Sequence, residues 1–214
     1  MFSPNTNKEL RDAVDLWCSN QEDALKKYGN ISEWDTSKIT DMNRLFEYKK
    51  NFNADLSMWD VSHVTDMCFM FADDNMFNSD LSLWDVSKVT NMRCMFGGAN
   101  SFNSDLSNWD VSQVTDTASM FSFNHMFNSD LSNWNVSNVE NMTDMFRHAH
   151  LFNCDISNWD VSNVKKMKCM FASTRVFNCD LSKWDVSNVE SHSLMFFYAR
   201  SFNNDFAPKF KISN

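Results

Sequence analysis

Tryptophan returns at a strict interval of 25 residues through most of the chain. No residue is inserted or lost between copies, and a fixed period of roughly 20 to 50 residues is typical of a solenoid, in which each turn buries its apolar face only against its neighbours. We therefore expect one elongated domain whose core is extended turn by turn. The periodic tryptophans are Trp34, Trp59, Trp84, Trp109, Trp134, Trp159 and Trp184.

The spacing of apolar residues changes within each copy. The fifth copy begins with Leu131, Trp134 and Val136, and the alternation of the last two with polar neighbours is the period of two that a half-buried strand requires. From Val139 onward the intervals are three or four residues, which is typical of a short helix. We therefore predict an α/β repeat solenoid, a leucine-rich-repeat-like coil with one short parallel β-strand and one short helix in each 25-residue turn.

Aromatic residues and methionine replace leucine in the expected core. The chain contains 8 Trp, 20 Phe and 15 Met. Each large ring buries about 150–250 Å² when it is enclosed, so even a thin solenoid gains enough apolar burial to fold. We expect internal columns of indole and phenyl rings, with the flexible thioethers of methionine filling the gaps between them rather than binding a cofactor or a metal.

The repeat string F-N-x-D-L-S-x-W-D-V-S-x-V-x-x-M-x-x-M-F covers the chain from Ile31 to about Phe206. It resembles the 25-residue repeat of the BspA-like leucine-rich-repeat surface proteins. That repeat is abundant in mycoplasma lipoproteins and is similar to tandem repeats of microbial eukaryotes and some large viruses. The resemblance implies a right-handed solenoid used for adhesion or protein–protein contact, without catalytic residues.

The N-terminal residues do not follow the repeat. Apolar residues at Leu10, Val14 and Trp17 indicate a helix that begins near Thr6, and a capping-box pattern at Ser19 indicates a second helix. Because a solenoid leaves its first core open to water, we interpret these helices as a cap. The predicted divisions are an N-terminal helical cap over 1–30, seven repeats over 31–207, and a tail or minimal cap over 208–214.

The far end of the chain starts an eighth copy and then departs from it. Pro208 interrupts the pattern and cannot donate to a further ladder of hydrogen bonds, so it blunts the open edge. We expect Phe210 and Ile212 to fold over the exposed last core. If they do not, that end is a surface for a partner or for end-to-end self-association.

Two polar columns recur with the repeat. Almost no Gly or Pro is present, so the Phe-Asn-x-Asp segments must supply the turns through side-chain bonds to the backbone or through an inward-pointing ladder of Asn. The aspartates that follow tryptophan, among them Asp60, Asp85 and Asp110, are expected to bond to the serine two residues on. The alternative is that these carboxylates bind a divalent cation such as calcium between turns.

Histidine and cysteine also recur at fixed phases. His125 and His150 stand 25 residues apart, which makes a zinc site conceivable, although no Cys or acidic residue shares that phase. Cys154 and Cys179 also occupy one phase in adjacent turns, where their spacing permits a disulfide. Reduced thiols are the favoured interpretation because the side chains are parallel and no secretion signal is present.

Positions that vary between copies are free of the folding role, and they are where a partner can be recognised. Met58 and Leu83, flanked by His63 and Lys88, are expected to form a small apolar patch. No Lys or Arg occurs from Cys94 to Phe146, and basic residues cluster afterwards. That cluster consists of Lys165, Lys166, Lys168 and Arg175.

The net charge and the absence of known motifs reduce the number of function classes that fit the sequence. The net charge of −9 argues against nucleic acid as a partner, and no apolar run is long enough to insert into a membrane. The first residues lack a signal peptide, which favours an intracellular protein or part of an assembly, including a virion, over a secreted one. No catalytic or cofactor motif is present. The sequence therefore predicts a non-enzymatic protein–protein interaction module or scaffold component, with a calcium- or carbohydrate-dependent surface adhesin as the alternative.

Overall fold

A computed structural model describes residues 1–211 of the chain. Two helices lie at the N-terminus, α1 over Asn7–Ser19 and α2 over Gln21–Tyr28. The predicted apolar face of α1 is buried, and Thr6 caps this helix by accepting a hydrogen bond from a backbone amide of the first turn. The cap of α2 is Asn20, one residue after the predicted position.

The two helices cover the open end of the first repeat. The indole of Trp17 packs edge-on against that of Trp34 at a centroid distance of 5.9 Å, and Phe2 packs against the same indole at 5.2 Å. The guanidinium of Arg11 donates to the backbone carbonyls of Asn43 and Arg44. The first turn thus has both an apolar cover and hydrogen-bond donors for its outward carbonyl groups.

The predicted α/β repeat, with its short strand and short helix, is wrong. Residues 31–211 contain no α-helix and no sheet. They contain isolated parallel bridges between residues 25 apart, such as Asp41 and Asp66, and two single-turn 3-10 helices, Ile31–Glu33 and Asn204–Phe206. Where a strand was expected, the amide of Trp59 donates to the carbonyl of Leu56 at 3.0 Å, which closes a tight turn. The predicted leucine-rich-repeat class is therefore also wrong, because that class is built around a strand in each turn.

The segment expected to be helical consists instead of successive turns. Alternate amides of this segment donate to carbonyls of the following repeat, so the hydrogen bonds of a helix are replaced by bonds between turns. Three-residue spacing places two side chains on one side of a tight turn much as it does on a helix. The apolar spacing after each predicted strand segment therefore predicted a helix where the chain forms turns. In one repeat, the amides of Met67, Phe69, Phe71 and Asp73 donate to the carbonyls of Asn91, Arg93, Met95 and Gly97 at 2.7–3.0 Å.

Each such segment contains two residues in the left-handed backbone region. In the fourth copy they are Ser119 (φ 58°) and Phe123 (φ 57°), and thirteen non-glycine residues adopt positive φ among the described residues. Only Gly98 supplies glycine at either phase. A left-handed non-glycine residue costs roughly 1–2 kcal/mol, so the surrounding packing and the bonds between turns must hold these residues in place.

The predicted internal column of tryptophans is confirmed. All seven periodic indoles are nearly fully buried, and four pairs of successive rings stack, for example Trp84 on Trp109 at a centroid distance of 6.5 Å with an interplanar angle of 2°. Each indole beyond the first repeat donates its Nε1–H to a carbonyl of the preceding repeat, as Trp109 does to Leu81 at 3.0 Å. Beside the indoles, paired phenyl rings such as Phe96 and Phe102 stack at 3.8 Å within each turn.

The last repeat is closed by a short return of the chain. Pro208 is buried, and Phe210 stacks on His192 at a centroid distance of 3.8 Å and packs, partly buried, against the core. The prediction for Ile212 falls outside the described residues. The rings of the last repeat remain partly exposed, and Phe196 and Phe202 are only half-buried.

Candidate binding surface

The recurring aspartates are used to build turns. Asp60, Asp85 and Asp110 each accept the amide of the serine two residues on, at 3.0–3.1 Å. The hydroxyl and amide of Ser87 hold the pKa of the Asp85 carboxyl below its usual value. This is the serine bonding expected from the sequence. Among residues 1–211, no group of three or more His, Cys, Asp or Glu side chains is arranged to hold a metal ion.

The asparagine column forms a ladder, but on the surface rather than inside. The side-chain oxygen of Asn78 accepts the amide of Asn103 at 2.9 Å, and the oxygen of Asn103 accepts the amide of Asn128 at 2.8 Å. These asparagines are exposed. Each therefore satisfies a backbone amide of the next repeat, which leaves its carboxamide oxygen less available to a partner.

The cysteines at matching phases are free thiols in this structure. The Cys154 sulfur accepts the amide of Leu131 at 3.1 Å, a position that serine fills in earlier copies, where Ser129 accepts the amide of Leu106. Burial raises the pKa of both Cys154 and Cys179 to about 11. Both thiols are therefore protonated at neutral pH and poorly reactive.

The apolar residues expected on the surface are exposed. Met58 and Leu83 occupy equivalent positions in adjacent tight turns and are 75% and 76% exposed. Lys88 and His63 lie near the Asp85 carboxylate, two residues after Leu83, and the charge of Lys88 helps to lower the pKa of that carboxyl. The patch therefore has compensated charges at its border, and its apolar part is two side chains wide.

The predicted basic cluster does not form one group. Lys165 pairs with Glu140 of the preceding copy at 2.7 Å, and Lys166 lies on the column of parallel bridges, with Lys168 two residues further along. Arg175 lies elsewhere in the turn, where it lines a shallow groove with His150 and other residues of the last copies. The structure thus separates Arg175 from the three lysines.

Four basic residues at one phase form what we call the basic corner. One of them, His150, is a central residue of the tight turn closed by the amide of Phe152 and the carbonyl of Ala149, and central side chains of such a turn point away from the core. The groove beside it is lined by His148, Ser173 and Tyr198 in addition to corner residues. The basic corner consists of His125, His150, Arg175 and Arg200.

The basic corner lacks compensating acidic groups. Neither Arg175 nor Arg200 forms an ion pair within the part of the chain that the structure describes. The rings of His125 and His150 stack face to face at 4.4 Å. Partial burial, together with the charges of His125 and Arg175, lowers the pKa of His150 to about 4. The corner is therefore a site of uncompensated positive potential on a chain whose net charge is −9.

An apolar column borders the basic corner. Three of the four corner residues, His125, His150 and Arg175, are followed in sequence by Met126, Leu151 and Val176, which are 52%, 44% and 41% exposed. The equivalent residue in other copies is often polar, as at Ser101 and Ser201. We call Met126, Leu151 and Val176 the apolar column. Basic and apolar side chains thus lie side by side on three successive turns.

Only part of this surface was predicted. His125 and His150 were selected for their shared phase, and Arg175 was selected as a member of a different cluster. Arg200 was missed, although it stands 25 residues after Arg175 and the period alone identifies it. Tyr198 was also missed, because the outward direction of its side chain depends on a left-handed backbone (φ 56°) that no local sequence signal announces.

Comparison with known proteins assigns the chain to a family. The chain belongs to the DUF285 family, described as Mycoplasma protein of unknown function, whose model matches residues 17–134 and 117–214. It is therefore a mycoplasma-type repeat protein, a coarser assignment than the BspA-like surface proteins. No curated protein and no solved structure matches the chain. Among the described residues, no helix is long and apolar enough to cross a membrane.

Proposed function

We propose that this protein is a non-enzymatic recognition module that binds another protein through the basic corner and the apolar column. The recurring polar side chains are engaged by hydrogen bonds within the chain itself, in turns and in the surface asparagine ladder. The observation that carries the proposal concerns the polar side chains that have no such hydrogen-bonded role. Arg175 and Arg200 have no acidic partner in the described chain, and they adjoin exposed apolar side chains.

A cation-dependent adhesin has less support. Calcium requires several oxygen ligands that converge on one point, whereas Asp60, Asp85 and Asp110 already accept a serine amide of their own turn, and Asp85 also accepts the serine hydroxyl. The resemblance of the repeat to BspA-like surface proteins supports a contact role and does not require a cation. We therefore favour protein recognition over calcium- or carbohydrate-dependent adhesion.

The chain itself offers a conservative way to remove the basic corner. Asparagine occupies the same phase in two earlier copies, at Asn75 and Asn100, so it is compatible with the local backbone. The corner variant therefore carries asparagine at all four basic positions. The matched control is Lys166→Asn with Lys168→Asn. It removes two permanent positive charges, as many as the corner variant loses at Arg175 and Arg200, from a different part of the turn. The four substitutions of the corner variant are His125→Asn, His150→Asn, Arg175→Asn and Arg200→Asn.

The test is differential capture from an extract of the native source, using the parent chain, the corner variant and the lysine control. We expect specific proteins to be retained by the parent and by the lysine control and to be lost from the corner variant. Equal retention by all three chains would contradict the proposal. Turnover of a small molecule by the parent chain that is abolished by the same four substitutions would also contradict it.

A further inference from the structure

The chemistry of the basic corner indicates what its partner presents. Two guanidinium groups and two imidazoles occupy one phase of successive turns, and all of these groups are hydrogen-bond donors when they are charged. Guanidinium groups bind carboxylates in a planar, bidentate manner. The phenol of Tyr198 and the hydroxyl of Ser173 line the same groove and add donors.

The apolar column excludes a free anion as a sufficient ligand. Leu151 and Val176 follow His150 and Arg175 directly and remain about two-fifths exposed. An inorganic anion at the corner would leave these side chains in water. A peptide that carries acidic and apolar side chains in alternation would cover both, since alternate side chains of an extended chain point to opposite sides.

We infer that the basic corner and the apolar column bind an extended acidic–apolar segment of a partner protein, with its carboxylates on Arg175 and Arg200. This inference rests on the proposed function and adds the chemical class of the partner. Leu151 and Val176 contact the apolar side chains of the segment. His150 lies beside the arginines and, when it is protonated, donates a hydrogen bond to a carboxylate of the segment.

Binding is coupled to uptake of protons. Partial burial is the main cause that lowers the pKa of both His148 and His150, and positive neighbours add to it in the free protein. His150 is faced by His125, His148 and Arg175, and His148 is faced by Arg147 as well. A bound carboxylate reverses that effect by adding negative charge. Affinity therefore rises as the pH falls from 7.5 to 5.5, a range in which glutamate side chains remain ionised.

The experiment is a fluorescence-anisotropy titration of the full chain with a labelled eight-residue peptide in which Glu and Leu alternate. The comparison peptides replace Glu by Gln or Leu by Ser, and inorganic phosphate serves as a competitor. We expect the Glu–Leu peptide to bind most tightly, both comparison peptides to bind more weakly, and affinity to fall as salt is added. The corner variant should bind about tenfold more weakly, because several charge-assisted contacts are lost.

Two further variants separate the contribution of the apolar column to peptide binding from that of the histidines. Leu151→Ser with Val176→Ser, which places at this phase a residue found there in other copies, should weaken the Glu–Leu peptide and leave the Glu–Ser peptide unchanged. His125→Asn with His150→Asn should reduce the pH dependence. Retained folding of each variant is checked by its circular dichroism spectrum and unfolding midpoint.

Several results would overturn the inference. Equal binding of the Gln–Leu peptide would remove the role of the carboxylate. Displacement of the peptide by phosphate at the same concentration as by unlabelled peptide would reduce the site to a simple anion site. If peptide binding fails while corner-dependent capture from the extract succeeds, the proposed function stands and this partner class is wrong. If capture is also independent of the corner, the proposed function fails as well.

Discussion

The ring columns and the basic corner lie on the same turns yet follow opposite rules. In the ring columns every copy carries the same residue type, and each side chain is buried against its counterpart one repeat away, as Trp84 is against Trp109. At the corner the residue changes from Asn100 to His125 to Arg175 while the backbone phase is kept. The difference shows that the repeat fixes a scaffold and leaves selected corners free to vary, because only the interior must match its neighbours.

The largest expected effect is at the ring columns. Trp109→Ala removes a buried indole, its stacking on Trp84 and its hydrogen bond to the carbonyl of Leu81. We expect a loss of about 3–5 kcal/mol in the free energy of unfolding, measured by urea denaturation. Met58→Ala, which truncates an exposed side chain, is the control and should cost less than about 0.5 kcal/mol. Similar losses for both would show that the indole column is not the core.

A buried carboxyl gives the next largest effect. Asp74 is fully buried, and neither of its carboxyl oxygens has a hydrogen bond of good geometry among the described residues. The nearby backbone amides of Met76 and Phe77 act to lower the pKa of this carboxyl, but less strongly than burial acts to raise it. Burial raises its pKa to about 8. Alanine stands at this phase in other copies, including Ala99 and Ala149. We therefore expect Asp74→Ala to stabilise the fold by about 1–3 kcal/mol near pH 8.

The sign of the pH dependence follows from that shift. The unfolded chain loses the Asp74 proton near pH 4 and the folded chain near pH 8, so the parent loses stability as the pH rises between these values. Asp74→Ala should remove this loss and give a smaller gain at pH 5 than at pH 8. Asn124→Ala replaces a neutral buried group at the same phase, and its effect should not change with pH. Equal pH dependence in both variants would contradict this account.

A smaller effect is expected where the backbone is left-handed. Ser119 has a φ of 58°, a conformation that glycine adopts without steric cost. Ser119→Gly should therefore stabilise the protein by up to about 1 kcal/mol in urea denaturation, after the added freedom of the unfolded chain is subtracted. Gln113→Gly, at a residue without positive φ, should destabilise it by about 0.5–1 kcal/mol. The opposite order would show that Ser119 is not held in this conformation.

These contrasts explain how far the sequence could lead. The period, the indole column and α1 follow from residues such as Trp109 and Leu10, whose burial is set by spacing alone. The predicted strand and helix of each repeat were wrong. The helix was predicted from three-residue spacing, which fits a helix face and a tight turn equally well. The Asp-x-Ser pairs at Asp55 and Asp60 are the local sequence signal for the turns that stand there instead. The period identifies all four residues of the basic corner, whereas the groove that they share with Tyr198 depends on turns that only the three-dimensional structure supplies.

The corner variant tests the separation of scaffold and recognition surface most directly. Its free energy of unfolding, measured by urea denaturation at pH 7.5 beside the parent chain, should stay within about 1 kcal/mol of the parent value, because all four side chains lie outside the core. A loss as large as that expected for Trp109→Ala would contradict the account, since the corner would then be part of what holds the turns together.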